Sequence, residues 1–203
     1  MIAIIDYGMG NLFSLSSSLK SLGYEVEITA DPERLRAADK LFLPGVGAFR
    51  DAQERLFSTG LADLIRELAA EGKPLMGICL GMQLLFDKSY EYGEYEGLGL
   101  IPGTVVPMEG SIAPELKIPQ IGWNALHPLN GGDLFFGIPG GTYVYFVHSY
   151  YLEAGDPADV AARTQYGVSI DAAVEHGKLF ACQFHPEKSS DTGLRILENF
   201  VRL

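Results

Sequence analysis

Cys79 lies in the segment Gly77-Ile78-Cys79-Leu80-Gly81-Met82-Gln83, with a glycine two residues to either side and an apolar run, Leu75 to Ile78, leading into it. A thiol that only filled space would not require such flanks. Glycines belong where neighbouring backbones come too close for a side chain, and a sharp strand-to-helix turn that lifts a nucleophile above a sheet has that need. The helix expected to follow, Leu80 to Phe86, aims its N-terminal amides and the positive end of its dipole at the sulfur, which favours thiolate. The competing reading is a buried structural cysteine ahead of a core helix. The chain's other cysteine, Cys182, is a useful control. In the alternating stretch LFACQF (179–184) it has no glycine elbow and reads as a small core hydrophobe.

A thiol nucleophile needs a base, and the four histidines are His127, His148, His176 and His185. His185 belongs to Phe184-His185-Pro186-Glu187, where proline stops strand pairing and lets the imidazole and Glu187 turn toward one mouth. A carboxylate beside imidazole fixes its tautomer and stabilises the imidazolium formed when the thiol loses its proton. His148, in FVHSYY (146–151), also ends a strand and is the rival base. His127 and His176 lie beside turn residues and read as surface histidines. The third element is Pro44-Gly45-Val46-Gly47, again past a strand end. Acyl transfer through a thioester needs two donors aimed at the developing oxyanion. The Leu80 amide, just after the nucleophile, is one choice and the Gly47 amide another; taken alone, PGVG is also an ordinary strand-terminating turn.

These residues need a scaffold, and the first half of the chain supplies an alternation of strands and helices. Met1 to Ile5, Tyr24 to Thr29, Leu41 to Leu43 and Leu75 to Ile78 read as strands, the third stopped by Pro44-Gly45. Leu12, Leu15, Leu19 and Leu22 recur at helical spacing and Gly23 closes that helix. Asp31-Pro32 caps a short helix to about Ala37, and Leu61, Leu64, Ile65 and Leu68 mark another that closes near Gly72. Alternation of this kind implies a parallel sheet with helices on both faces, whose ligand site lies at the carboxyl ends of the strands. The second half is richer in β: Val105-Val106, Gly122 to Leu126, Tyr143 to Tyr151, Val160 to Tyr166, Ser169 to Glu175 and Leu179 to Phe184 read as antiparallel additions. A final helix, Asp191 to Val201, is expected to be capped by Asp191 and to turn Leu194, Leu197 and Val201 inward.

Length and charge narrow the function. The 203 residues are enough for one domain with a full core, expected to span 1–203. A net charge of −11, from 15 basic against 26 acidic residues, argues against a nucleic-acid or anionic-membrane surface. No apolar run approaches the roughly 20 residues of a membrane span, and the N-terminus runs straight into a strand pattern without a basic leader, so the cytoplasm is expected. The cysteines form no CxxC or zinc-like cluster. The expected chemistry uses no metal and no cofactor.

In this order, and joined to DYGMGNL (6–12), these elements closely resemble the class I (triad) glutamine amidotransferases. More narrowly they resemble the glutaminase subunits of imidazole glycerol phosphate synthases. The resemblance runs the full length, through PGVGAF (44–49), GICLGMQLLF (77–86), IGWN (121–124), FVHSYY (146–151) and FHPEKS (184–189). The cysteine elbow and His-Pro-Glu belong to all triad glutaminases; DYGMGNL, PGVGAF and GWN point to the subunit. The resemblance implies an α/β, flavodoxin-like fold with a mostly parallel open sheet. It implies Cys79 as nucleophile, His185 as general acid and base and Glu187 as its orienting carboxylate. It leaves His148, Ser149 and Tyr150 to line the glutamine pocket through their backbone. Gln83 and Glu91 would hold the substrate's amino-acid end, with Glu94 and Glu96 as alternatives nearby. L-Glutamine would be hydrolysed to glutamate, and ammonia passed to a cyclase subunit, a separate (β/α)8 barrel chain, in a heterodimer that forms imidazole glycerol phosphate and AICAR for histidine biosynthesis. Asn11, Trp123, Tyr145 and Lys188 are implied interface or gate residues, the competing reading of Trp123 being a core tryptophan. Resting enzymes of this kind point the PGVG peptide's carbonyl into the oxyanion site, so partner and ligand binding would reorient the Val46-Gly47 peptide. Rival readings are a glutaminase subunit for anthranilate, guanylate or pyridoxal phosphate synthesis, a cysteine hydrolase or chaperone of the related superfamily, and a non-enzymatic scaffold.

Overall fold

The computed structural model of the chain describes residues 1–129 and 132–203. Its first half is built as the alternation predicts. Strand β1 (Ile2–Ile5) is followed by helix α1 (Leu12–Ser21), β2 (Val26–Thr29), α2 (Pro32–Ala37) and β3 (Lys40–Gly45). Then come α3 (Phe49–Ser58), α4 (Leu61–Ala70), β4 (Leu75–Cys79) and the single-turn α5 (Leu80–Leu84). Asp31 caps α2 by accepting from the Glu33 amide, as its position before Pro32 requires. The sequence reading passed over α3, because Phe49, Ala52 and Leu56, which it buries, are diluted by charged neighbours.

The second half holds β5 (Phe86–Ser89), β6 (Tyr95–Glu96), β7 (Ile101–Pro107), β8 (Gln120–Pro128), β9 (Thr142–His148), β10 (Tyr150–Ala154), β11 (Val160–Tyr166), β12 (Val168–His176), β13 (Leu179–Cys182) and the closing helix α6 (Ser190–Arg202). Nine strands form one sheet in the order β2-β1-β3-β4-β13-β12-β11-β8-β9. It is parallel from β2 to β13 and antiparallel beyond. A second sheet, β10-β7-β5-β6, was not anticipated. Alternate residues of the central strands serve two cores. Ala3, Ile5, Leu41, Leu43 and Leu75 pack toward α2, α3 and α4, while Ile2, Ile4, Phe42, Met76 and Ile78 pack toward α1 and α6.

Four boundaries differ from expectation. Pro44 and Gly45 continue β3 and pair with Ile78 and Cys79; the β1 ladder has already ended at Phe42, so proline's missing donor falls where only β4 flanks the strand. The helix after Cys79 stops at Leu84, because the returning segment occupies its last carbonyls: the Leu98 amide donates to Leu84 O and the Leu100 amide to Leu85 O. The run Tyr143 to Tyr151 is two strands, broken at Ser149 where the chain crosses from the large sheet to the small one. Asp191 does not cap α6. The cap position is Ser189, whose hydroxyl is engaged elsewhere, and Asp191 sits in the first turn, where its charge still suits the dipole. The buried face of that helix centres on Ile196, Leu197 and Phe200 rather than Leu194. Among the described residues no helix is long and apolar enough to cross a membrane.

Candidate active site

Cys79 ends β4 with φ 55° and ψ −115°, a backbone conformation that an L-residue adopts only under constraint. The constraint is the approach of neighbouring chains. A side chain at Gly81 would place its first carbon 1.7 Å from the Leu43 carbonyl oxygen of β3, and one at Gly77 would lie 2.8 Å from the Gly81 oxygen. The two glycines thus seat the first turn of α5 directly on the sheet, and the sulfur is left at the carboxyl end of the strands. Cys182, by contrast, is fully buried in the α1/α6 core, burial pushes its thiol well up, and both cysteines are free.

His185 follows β13, the strand beside β4, and is buried with Glu187. Its Nδ1 lies 2.8 Å from Glu187 Oε1, leaving Nε2 on the opposite edge of the ring without a hydrogen-bond partner among the described residues. Burial pulls the imidazole pKa down, but the sulfur of Cys79 and the carboxylate of Glu187 outweigh it and raise the pKa to about 10. Asn11 Nδ2 reaches Glu187 Oε1 at 3.5 Å, so this residue, expected at an interface, also supports the carboxylate. The rival base is placed differently. Both nitrogens of His148 are committed, Nδ1 to Tyr150 O at 2.8 Å and Nε2 to the Gln120 side-chain amide at 3.0 Å, and burial lowers its pKa to about 4. His127 and His176 are exposed, as expected.

A pocket of about 300 Å³ gathers most of the predicted site: Val46, Gly47, Cys79, Leu80, Gln83 and Glu91, together with the 148–150 segment and His185. Gly47 holds φ +101°, which suits glycine. Among the three glutamates Glu91 is the one on the pocket. Its Oε2 accepts from the Phe49 amide at the start of α3, while Glu94 pairs with Lys88. Burial raises the Glu91 pKa and the Phe49 amide opposes that rise. Trp123, Tyr145 and Lys188 meet outside the pocket: the indole meets the Tyr145 ring edge-on at 6.0 Å and the Lys188 ammonium lies 5.9 Å from the same ring. Trp123 is half exposed, which decides against a core role.

Sequence reading missed Tyr92, Pro119 and Val147 on the pocket wall, and two buried polar groups behind it. Tyr7 carries a hydroxyl without a partner among the described residues, its pKa driven up by burial and by Cys79. Gln183 reaches the sulfur, its Nε2 3.7 Å from Cys79 Sγ. A glutamine inside the apolar run LFACQF was the available signal for the second, since a buried amide must find partners.

The arrangement brings a thiol, an imidazole backed by a buried carboxylate and a glycine-rich loop to one cavity, which is the equipment of acyl transfer through a thioester. Known proteins agree. Residues 3–203 match the family described as glutamine amidotransferase class-I. The chain is 51% identical over 202 residues to the imidazole glycerol phosphate synthase subunit HisH of Moorella thermoacetica, covering 100% of this chain and 94% of that protein. It is 49% identical to the subunit of the same name from Sulfurimonas denitrificans, covering 100% and 98%. Among solved structures, a glutamine amidotransferase superposes with TM-score 0.77 at 23% identity over 99% of this chain and 100% of that one. PurLQS from Thermotoga maritima superposes with TM-score 0.76 at 19% identity over 99% and 97%. The α/β sheet, the elbow and the full-length match together place this chain in the class I glutamine amidotransferase family.

Proposed function

We propose that this chain is the glutaminase subunit of an imidazole glycerol phosphate synthase, acting in histidine biosynthesis as a single catalytic domain over residues 1–203 in the cytoplasm. Full-length identity near one half to subunits of that name carries the assignment, and favours it over subunits serving anthranilate, guanylate or pyridoxal phosphate synthesis. The convergence of Cys79, His185 and Glu187 supports an enzyme rather than a scaffold.

In the reading this geometry favours, the Cys79 thiolate attacks the side-chain amide carbon of L-glutamine. The carbonyl electrons move onto oxygen, which the amides of Leu80 and Gly47 receive once the Val46-Gly47 peptide presents its N–H. The His185 imidazolium gives its proton to the departing nitrogen, and ammonia leaves as the thioester forms. His185, now neutral, takes a proton from water; the resulting hydroxide equivalent attacks the thioester, and the thiolate leaves with glutamate released. Gln83 and Glu91 hold the amino-acid end, and the backbone of His148, Ser149 and Tyr150 lines the pocket. Ammonia in neutral water is mostly ammonium, which is no nucleophile, so it must pass under cover to the partner, a cyclase subunit with a (β/α)8 barrel, docked over Asn11, Trp123, Tyr145 and Lys188 in a heterodimer.

The test is glutamate release with and without the cyclase subunit and its nucleotide ligand. We expect stimulation by both and complete loss in Cys79→Ala. Survival of turnover in that variant would remove the nucleophile, and activity indifferent to the cyclase would remove the coupling.

A further inference from the structure

We propose that Gln183 is a positioning residue that holds the sulfur of Cys79 and sets the orientation of Gln83 through one directed chain of hydrogen bonds. This rests on the reading of Cys79 as the nucleophile.

Gln183 is completely buried between Cys182 and Phe184. Its Oε1 accepts from Gln83 Nε2 at 2.9 Å and its Nε2 lies 3.7 Å from Cys79 Sγ. Gln83 Nε2 also reaches the Tyr150 carbonyl at 3.4 Å. The direction of the chain follows from that last contact. A backbone carbonyl can only accept, so Gln83 must present its NH2 to it. The same NH2 then meets the oxygen of Gln183, which turns the Gln183 NH2 to the sulfur. Reversing either amide would set two oxygens, or an NH2 and an NH2, against each other in a buried site. The Tyr150 carbonyl is itself held in place, since it also accepts from His148 Nδ1.

Two consequences follow for the reaction. An N–H aimed at sulfur is strongest when the sulfur is charged, so Gln183 stabilises the attacking thiolate and the thiolate that leaves at deacylation. With its NH2 engaged behind the pocket, Gln83 turns its oxygen to the cavity it lines, as an acceptor for an ammonium group. Gln183 itself is not on the cavity wall, so it acts through both neighbours without touching substrate.

The test is the pH dependence of Cys79 alkylation by iodoacetamide in the full chain, read on the Cys79 peptide by mass spectrometry, alongside steady-state glutaminase kinetics in the complex. In Gln183→Met the alkylation inflexion is expected to move up by about one pH unit, with kcat reduced about tenfold and KM raised. Gln183→Glu keeps the shape but loses the donor once ionised, and is expected to move the inflexion further. In the unmutated protein the Gln183 side-chain amide resonances are expected to shift across the same inflexion, a measurement that needs no variant to fold. Inflexions unchanged in both variants, or amide resonances indifferent to Cys79 ionisation, overturn the proposal. Failure of the nucleophile itself is distinguishable, because Cys79→Ala would then retain turnover.

Discussion

His185 and His148 lie within one pocket and are driven in opposite directions, one up to about 10 and the other down to about 4. Burial opposes the charge on both; the difference is that His185 faces a carboxylate and a sulfur, whereas His148 faces uncharged amide groups. On the proposed mechanism the raised pKa lets His185 carry the proton destined for leaving ammonia at neutral pH, while the lowered pKa keeps His148 neutral. The sign of the pH dependence follows. A raised pKa keeps the proton donor present through neutrality and loses it only as pH climbs toward that value. The alkaline limb of kcat/KM is expected well above 6.5, the ordinary histidine value, and a limb at 6 to 7 would contradict the pairing. Glu187→Gln removes the carboxylate that helps hold the proton and fixes the tautomer. It is expected to bring the alkaline limb down toward neutrality and to lower kcat by roughly 10²- to 10⁴-fold, with the fold retained, as measured by pH–rate profiles of glutamate release.

The turn that presents the sulfur is a property of β3, β4 and α5 together, because Gly81 can sit on β3 only without a side chain. Gly81→Ala would drive a carbon to 1.7 Å from the Leu43 oxygen, a backbone contact that no rotamer relieves. We expect a loss of about 1–3 kcal/mol or more, a Tm lower by roughly 2–4 °C for each kcal/mol, and reduced glutaminase activity from a displaced Cys79. Gly140→Ala, where an added carbon meets nothing within 4 Å among the described residues, is the control and should change neither. This turn was legible from residues alone because it is local: glycines at fixed offsets, a strand before and a helix after. Strands β1 to β4 were legible for the same reason, being apolar runs punctuated by Gly and Pro. What escaped was set by distant partners. Helix α3 has its apolar stripe diluted by charge, the break at Ser149 exists only because β9 and β10 join different sheets, and α5 ends where the returning 98–101 segment takes its carbonyls. The pairing of His185 with Glu187 was legible in the local His-Pro-Glu spacing, whereas the commitment of the His148 ring to Gln120 and Tyr150 was not, since Gln120 comes from a different strand.

At the scale of the whole molecule, the far edge of the large sheet is asymmetric. Leu126, Val144 and Phe146 face the α1/α6 core, while on the other face Ile121, Trp123 and Tyr143 are 62%, 49% and 58% exposed. Such a row of large apolar groups on paired strands is the composition of a protein interface rather than of free surface. It also connects to the site, since Tyr145 pairs with Trp123 across β8 and β9 and its carbonyl accepts from the His185 amide at 2.9 Å. A partner seated here would press on β9, whose Tyr145 carbonyl holds the backbone of His185, which gives coupling between docking and the site a physical route. Trp123 is the chain's single tryptophan, so its emission reports this face without ambiguity. Titration with the cyclase subunit is expected to shift that emission to the blue as the indole leaves water, in step with the rise in glutaminase activity. Trp123→Ala is expected to weaken the stimulation while leaving Cys79 alkylation unchanged. An emission maximum that stays fixed while activity rises would place the docking surface elsewhere and leave this edge of the sheet without a role in coupling.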